Sequence, residues 1–456
     1  MITMQLSEAA ALLGGQVHGT DVRFRGLSID SRDVRAAQLF VALSGPKFDG
    51  HAFVAAARKE QCAAVLSERV VDHLPSVVVD DALAGLGKLS ASWRKRFDVD
   101  TVAVTGSNGK TTVKEMIASM LALDAPVLAT QGNLNNNIGV PLTLARLGEE
   151  HRRLVVELGA NHPGEIAMLG AMSLPRVGVI TLIAPAHLEG FGDIAAVARA
   201  KGELIDALPS DGVVVVNADD DYMGLWRELA QQRTVLTFGF GDGADVRVKH
   251  CPGEGLGSGN GGARVTLRVG GEELHAQLQL CGRHNAANAA AAAAAAHAMG
   301  VDADCITRGL EATRPVHGRL QLRMGVDGVR IIDDTYNANP HSLQAALEVL
   351  CEASSARWLV LGDMAELGPN ARAFHHQAGQ MARAAGVTRL FALGDLSRFA
   401  VEAFGAGAQH FADRDALCEA LVESLGGQET VLVKGSRSMA MEAVVLSILK
   451  EATPCC

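Results

Sequence analysis

The strongest chemical signal in the chain is Thr105-Gly106-Ser107-Asn108-Gly109-Lys110-Thr111-Thr112, placed after an apolar run and before a helical pattern. Gly106 and Gly109 permit close approach of the backbone to an anion. The N–H groups from Ser107 onward, at a helix start, favour phosphate oxygens, Lys110 reaches the β and γ phosphates, and the Thr111 hydroxyl suits magnesium. The loop is shorter than the general nucleotide-binding pattern, with Val104 where its first glycine would fall. An ordinary glycine turn is the alternative, and the intact Lys-Thr pair between strand and helix argues for phosphate.

Further along, Glu157 ends the apolar run LVVEL. At the carboxyl end of a parallel strand its carboxylate can hold Mg²⁺, or simply pair with a nearby cation. His187, in Ala186-His187-Leu188-Glu189-Gly190, follows the strand-like RVGVITLI and can ligate metal through a neutral ring nitrogen, although a loop histidine is more often only a satisfied polar residue. By local sequence Lys201, in Ala200-Lys201-Gly202-Glu203, reads as a solvated helix cation. Asn285 and Asn288 lie three apart on one helix face, where their amides can read a planar base, and Asn285 can also cap that helix. The stretches Asp333 to Pro340 and Lys434 to Ser438 each read as a strand-to-helix loop, suited to a ligand or to turn chemistry alone.

Such residues need a scaffold of parallel strands, and the texture of the chain supplies one. Residues 1–84 read as a small α/β unit. Residues 85–312 alternate strand and helix signals, interrupted by an antiparallel β insertion (DVRVKH, ARVTLRV and ELHAQLQL) with a Gly/Ser-rich tip from Gly253 to Gly262. Residues 313–456 repeat a strand-loop-helix unit in which Leu-Gly-Asp recurs at 361–363 and 393–395, the pattern of a second doubly wound sheet. The expected fold class is therefore α/β with three domains. A net charge of −10 over 456 residues excludes a general attraction to nucleic acid. The eight cysteines lack Cys-x-x-Cys spacing, MITMQLSEAAALL lacks the features of a secretory signal, and the alanine run Ala289 to Ala296 is too short to span a bilayer. A cytoplasmic protein without membrane insertion is expected.

Taken in order, Gly132 to Pro141, Glu157 to Asn161, Ala186 to Gly192, Asp334 to Asn339, Gly362 to Gly368 and Lys434 to Ser438 resemble the Mur ligase family over nearly the whole chain. These are ATP-dependent amide ligases of peptidoglycan assembly. The resemblance implies a uridine-nucleotide domain, a central ATPase and a C-terminal domain that closes over ATP and presents the amine. It assigns Lys110 and Thr111 to the triphosphate and Mg²⁺, Glu157 and His187 to the metals, and Asn285 and Asn288 to adenine. Arg319 and Asp334 would serve the γ-phosphate and ribose, and Lys201 would act as a carbamate ligating a second magnesium, which reverses its local reading. Ser28, Asp30, Ser31, Arg32, Phe40, Ala42, Gly45, Asp49 and His51 resemble the uridine-site segment, and Asn133 and Asn136 belong to a substrate-side motif. Asn337 and Asn339 would bond a peptide amide, and Lys434 or Arg437 a terminal carboxylate. Asn137 and Leu182 depart from the pattern, which has an acid and an asparagine there.

Within the family the pattern looks most like members that join D-alanyl-D-alanine to UDP-N-acetylmuramoyl-tripeptide through an acyl phosphate, as monomers. The alternatives are a ligase adding the third amino acid or a folylpolyglutamate synthetase. A degenerate nucleotide-binding regulator is a further class, which retention of Lys110, Thr111, Glu157, His187 and Lys201 opposes.

Overall fold

The computed structural model describes residues 1–45, 48–185, 188–251 and 262–449. Its strands form three main sheets. The first, of five short strands, runs in the order Gln16–His18, Ser76–Val78, Ala64–Ser67, Leu39–Val41, Leu27–Ser28 and is parallel except at its first strand. Its strands are apolar on both faces: Leu39, Val41 and Leu66 pack to one side, Phe40 and Val65 to the other. That is the signature of a parallel sheet covered twice.

In the centre lies a nine-stranded sheet. Its site-bearing elements are β1 (Asp100–Thr105), α1 (Lys110–Asp124), β2 (Arg153–Glu157), β3 (Val177–Ile180), α2 (Ile194–Asp206) and α3 (Arg283–Ala298). β1 lies between β2 and β3, with Val104 opposite Glu157 and Thr105 opposite Ile180, so the three strands end level. The chain leaves β1 toward one side of the sheet and later crosses to the other, which opens a crevice at the carboxyl ends of these strands. The three expected antiparallel segments do pair so, Val246–Cys251 with Arg264–Val269 and that strand with Glu272–Gln277, but they continue this sheet rather than forming a separate one, because Val246–Cys251 also pairs parallel with Thr234–Gly239. The Gly/Ser-rich tip falls almost wholly outside the described residues.

The third sheet has six strands and includes β4 (Arg330–Asp334), β5 (Ala356–Gly362) and β6 (Glu429–Lys434), with β6 between the other two. Helix α4 (Pro340–Cys351) follows β4. Both Leu-Gly-Asp triplets follow strands as expected: Asp363 ends the turn after β5 and accepts N–H groups of Leu396 and Ser397 beside the second triplet.

Helix Ala82–Arg94 runs through the expected division at residue 84 and shares one core with both flanking units. Its Arg94 is buried and donates to the carbonyls of Ser173, Phe97 and Val99 and to Thr101 Oγ1. Cys62, Cys281, Cys305, Cys351 and Cys418 are free thiols. Among the described residues no helix is long and apolar enough to cross a membrane.

The alanine run explains itself in α3. Ala289 to Ala296 are all essentially inaccessible, so this helix is enclosed on every side, between α1 and the sheet. Small side chains let those neighbours approach its axis closely. Ala292→Leu should therefore overpack the site and cost about 1–3 kcal/mol, seen as a lowered thermal midpoint. An unchanged midpoint would mean that the enclosure is loose.

Candidate active site

The glycine loop sits where β1 meets α1. Gly106 has φ +139° and Gly109 φ +82°. A Cβ on Gly106 would collide with Thr181 Oγ1, and one on Gly109 would lie 2.5 Å from Asn288 Oδ1, so neither position accepts a side chain. The loop is fastened from β3's end: Ser107 N–H donates to Leu182 O at 2.9 Å, Ser107 Oγ to Ala184 O at 2.9 Å, and Thr181 Oγ1 to Asn108 O. Leu182 acts here through its carbonyl, so its departure from the family pattern leaves this contact intact. Lys110 is the first residue of α1, half-buried, and its Nζ folds back to Gly106 O at 2.8 Å. Burial lowers its pKa, the nearby Arg319 adds to the effect, and Glu157 opposes it.

Glu157 and Thr111 are buried beside this loop, at 1% and 3% exposure, and each keeps one oxygen without a partner: Glu157 Oε2 and Thr111 Oγ1. Two orphaned hard oxygen donors next to a phosphate loop fit a magnesium ion. Glu157 is held by three residues not singled out from sequence. Asn135 Nδ2 donates to its Oε1 at 2.8 Å, Thr130 Oγ1 accepts its N–H at 3.0 Å, and fully buried Lys114 donates to Thr130 O at 2.8 Å. The Asn-rich run and the spacing of Lys114, one turn beyond Lys110, were the only signals available.

The local reading of Lys201 is wrong. It is 2% exposed on α2, donates to Ala160 O at 3.3 Å and lies 5.3 Å from the Phe191 ring centre. Burial, reinforced by the Lys110 charge, pushes its pKa down to about 7. His187, with Ala186, lies outside the described residues.

At the base-reading position the cap of α3 is Gly282, not Asn285. Asn285 Nδ2 donates to Cys281 O at 2.8 Å and Asn288 Nδ2 to Asn285 Oδ1 at 3.0 Å, so the two amides form one buried unit.

The C-terminal sheet closes over this loop. Asn339 caps α4 through Ser342 N–H and also pairs its amide with that of Asn108, at 2.9 and 3.4 Å in the two directions. Arg319 stacks on Tyr336 at 4.1 Å, with its Nε buried and unpartnered. Asp334 accepts Leu320 N–H at 3.1 Å and pairs with buried Lys434, which also donates to Asn337 O at 2.9 Å. The Lys434 charge is thus already answered by Asp334, whereas exposed Arg437 pairs with Glu442 at 2.8 Å. One cleft of ≈ 770 Å³ joins Ser107 to Thr112, Asn136, Asn137, Glu157, Asn285, Asn288, Arg319, Asp334, Asn337, Asn339, Lys434 and Arg437. Neither Lys201, one residue layer behind Ala160, nor exposed Asn133 lines it.

The expected uridine-site residues form a separate surface. Arg32 forks onto Asp30 at 2.9 and 2.7 Å, holding that carboxyl's pKa down to about 2, and Ser28 Oγ donates to Asp30 O at 3.0 Å. Ser31 stands between them. Asp49 accepts His51 Nδ1 at 2.6 Å and Arg69 at 2.7 Å, and Gly45 pairs with Phe48. Phe40 and Ala42 do not fit as side-chain contacts: both are fully buried in a small apolar cluster with Val54, Ala57 and Val65. The alternation of a doubly covered strand turns them inward.

Three family descriptions match: Mur ligase middle domain over residues 104–296, the Mur ligase glutamate ligase domain over 318–437, and Mur ligase family, catalytic domain, over 23–84. The UDP-N-acetylmuramoyl-tripeptide--D-alanyl-D-alanine ligase of Escherichia coli K12 is 40% identical, the alignment covering 99% of this chain and 100% of the relative. Its Bacillus subtilis counterpart is 33% identical, with 93% of each covered. Among solved structures, MurF from Acinetobacter baumannii superposes with a TM-score of 0.90 at 33% identity over 98% of both chains. MurF from Thermotoga maritima in complex with ADP gives 0.81 at 28% identity, over 93% of this chain and 96% of that one. With full-length identity of this order, and the same fold throughout, the chain belongs to the Mur ligase family.

Proposed function

We propose that this protein joins D-alanyl-D-alanine to UDP-N-acetylmuramoyl-tripeptide at the expense of ATP, giving UDP-N-acetylmuramoyl-pentapeptide, ADP and phosphate. The observation that carries this reading is the single cleft in which the phosphate loop meets Arg319, Asp334 and Asn339 of the C-terminal sheet. The full-length likeness to ligases of that name supports the choice of substrates. In this reading residues 1–84 hold the uridine nucleotide, 85–312 the ATP, and 313–456 the amine.

The phosphate loop binds the triphosphate through its N–H groups, and Lys110, freed from its loop carbonyls, neutralises charge on the transferring phosphoryl group. Thr111 and Glu157 would hold Mg²⁺, which supplies further charge neutralisation there. Asn285 and Asn288 face the base, and Arg319 and Asp334 approach the γ-phosphate and ribose. The tripeptide carboxylate attacks the γ-phosphorus, and ADP leaves. The dipeptide amine then attacks the acyl phosphate carbon, expelling phosphate as the amide forms. Because the acyl phosphate is open to hydrolysis, the overlap of central and C-terminal walls serves to exclude water.

Lys201 lies behind this cleft with a pKa near neutrality, so much of it is uncharged at pH 7 and able to add CO₂. The resulting carbamate would be an anionic ligand for a second magnesium.

Four outcomes are expected. Lys110→Ala should lower turnover by about 10²-fold or more with an unchanged circular dichroism spectrum, and near-normal turnover would remove the phosphate-loop assignment. Lys201→Ala should be nearly inactive and regain activity with acetate or formate. The wild-type enzyme, stripped of CO₂ and then given a fixed concentration of dissolved CO₂, should recover faster above pH 7 than below it, since protonation of Lys201 blocks carbamate formation. In a matrix of UDP-muramoyl peptides and amines, phosphate release should require the tripeptide and D-Ala-D-Ala. Efficient use of diaminopimelate or lysine with a UDP-muramoyl-dipeptide would replace this reading.

A further inference from the structure

Lys114 carries a charge that no step of the reaction above uses. It lies one turn beyond Lys110 on α1, and its side chain is wholly buried. A chain of the same length ending in carbon would fill that space without taking an ammonium out of water. The ammonium holds two groups. It pairs with partly exposed Glu115 on the same helix, and it donates to Thr130 O at 2.8 Å. Thr130 follows the edge strand Val127–Ala129 of the central sheet, and each of its polar groups is committed. Its N–H donates to Val155 O at 3.0 Å, its Oγ1 accepts the Glu157 N–H at 3.0 Å, and its carbonyl accepts Lys114.

These bonds make a strut from α1 to the end of β2. The two elements it joins carry the two unanswered oxygens beside the phosphate loop, Thr111 Oγ1 on α1 and Glu157 Oε2 on β2. Asp124 and Arg153 also tie α1 to β2, at 2.8 Å, but at the end of each element away from the phosphate loop. Val113, Ile117 and Val155 share the apolar core between the two elements, and such packing has no direction of its own. A chain of hydrogen bonds does, so the strut fixes a spacing. Magnesium demands near-ideal octahedral bonds of about 2.0–2.1 Å, whereas calcium accepts about 2.3–2.6 Å in flexible geometry, so the rigidity of a donor pair decides between them.

We propose that Lys114 is a positioning residue which, through Thr130, holds Glu157 at the spacing from Thr111 that selects magnesium over calcium. This rests on the magnesium site of the reading given above and deepens it. The test is the affinity of AMP-PNP, a non-hydrolysable ATP analogue, measured by calorimetry in excess Mg²⁺, in excess Ca²⁺ and in EDTA. For the wild-type enzyme binding should tighten from EDTA to Ca²⁺ to Mg²⁺. Lys114→Met keeps the length of the chain and removes the donor. It should lower the ratio of Mg²⁺-supported to Ca²⁺-supported affinity about tenfold, with the affinity in EDTA unchanged because the phosphate loop is untouched. Loss of the positive charge acts on both cations alike, so the ratio reports spacing. Thr130→Val cuts the same strut at Glu157 and should lower the ratio likewise, which keeps the test open if Lys114→Met does not fold. An unchanged ratio in the folded variants overturns the inference, and so does an equal loss under all three conditions, the result of a purely structural lysine. Wild-type affinity no tighter in Mg²⁺ than in EDTA overturns the magnesium site itself.

Discussion

Glu157 takes a carboxyl group out of water and leaves one of its oxygens without a partner. Withholding a hydrogen bond from a buried acid costs several kcal/mol unless a cation answers it, so much of the surrounding architecture serves to make that withholding possible. β2 ends level with β1, which sets Glu157 beside the glycine loop. Asn135 and Thr130 fix its other groups, and buried Lys114 fixes Thr130 in turn. Thr111, on the first turn of α1, holds the second unanswered oxygen. The cleft is thus prepared for positive charge before any ligand enters.

The central sheet is joined to its two neighbours in different ways. Toward the N-terminal sheet the join is a shared apolar core running from Ile2 through Leu86 and Trp93 to Val156 and Leu204. Toward the C-terminal sheet it is sparse: Cys281 packs into the core beneath α4, Asn108 pairs with Asn339, and Glu189 N–H reaches Glu366 O at 3.4 Å. A large apolar contact resists relative movement, and a small polar one permits it. By that measure the C-terminal unit is the less firmly attached of the two.

The glycine loop, the parallel sheets and most C-terminal loops were legible in the sequence because each is written locally, in strand, turn and helix start. Lys201 was misread for the opposite reason. Nothing in Ala-Lys-Gly-Glu tells that α2 turns this residue toward Phe191 and Ala160, and only the family resemblance corrected it. The amide pair of Asn108 and Asn339 joins residues 231 positions apart, beyond any spacing rule. Phe40 and Ala42 were assigned by segment, and a segment does not tell which face of a buried strand each residue takes. Asn285 looked like a cap because asparagine favours that position, whereas Gly282 at φ +90° already starts the helix.

Alanine has no rotamers to exchange, and this gives α3 a mechanical character that a leucine-rich helix would lack. A leucine core absorbs a small displacement by side chains hopping between wells. Along Ala289 to Ala296 the helix itself offers no such wells, and what side-chain compliance remains belongs to its neighbours, such as Met116 and Met120 of α1. Asn285 and Asn288, at the near end of that helix, therefore move with the phosphate loop as one stiff body. The spacing between those amides and Lys110 is then set by the helix backbone rather than by adjustable side chains.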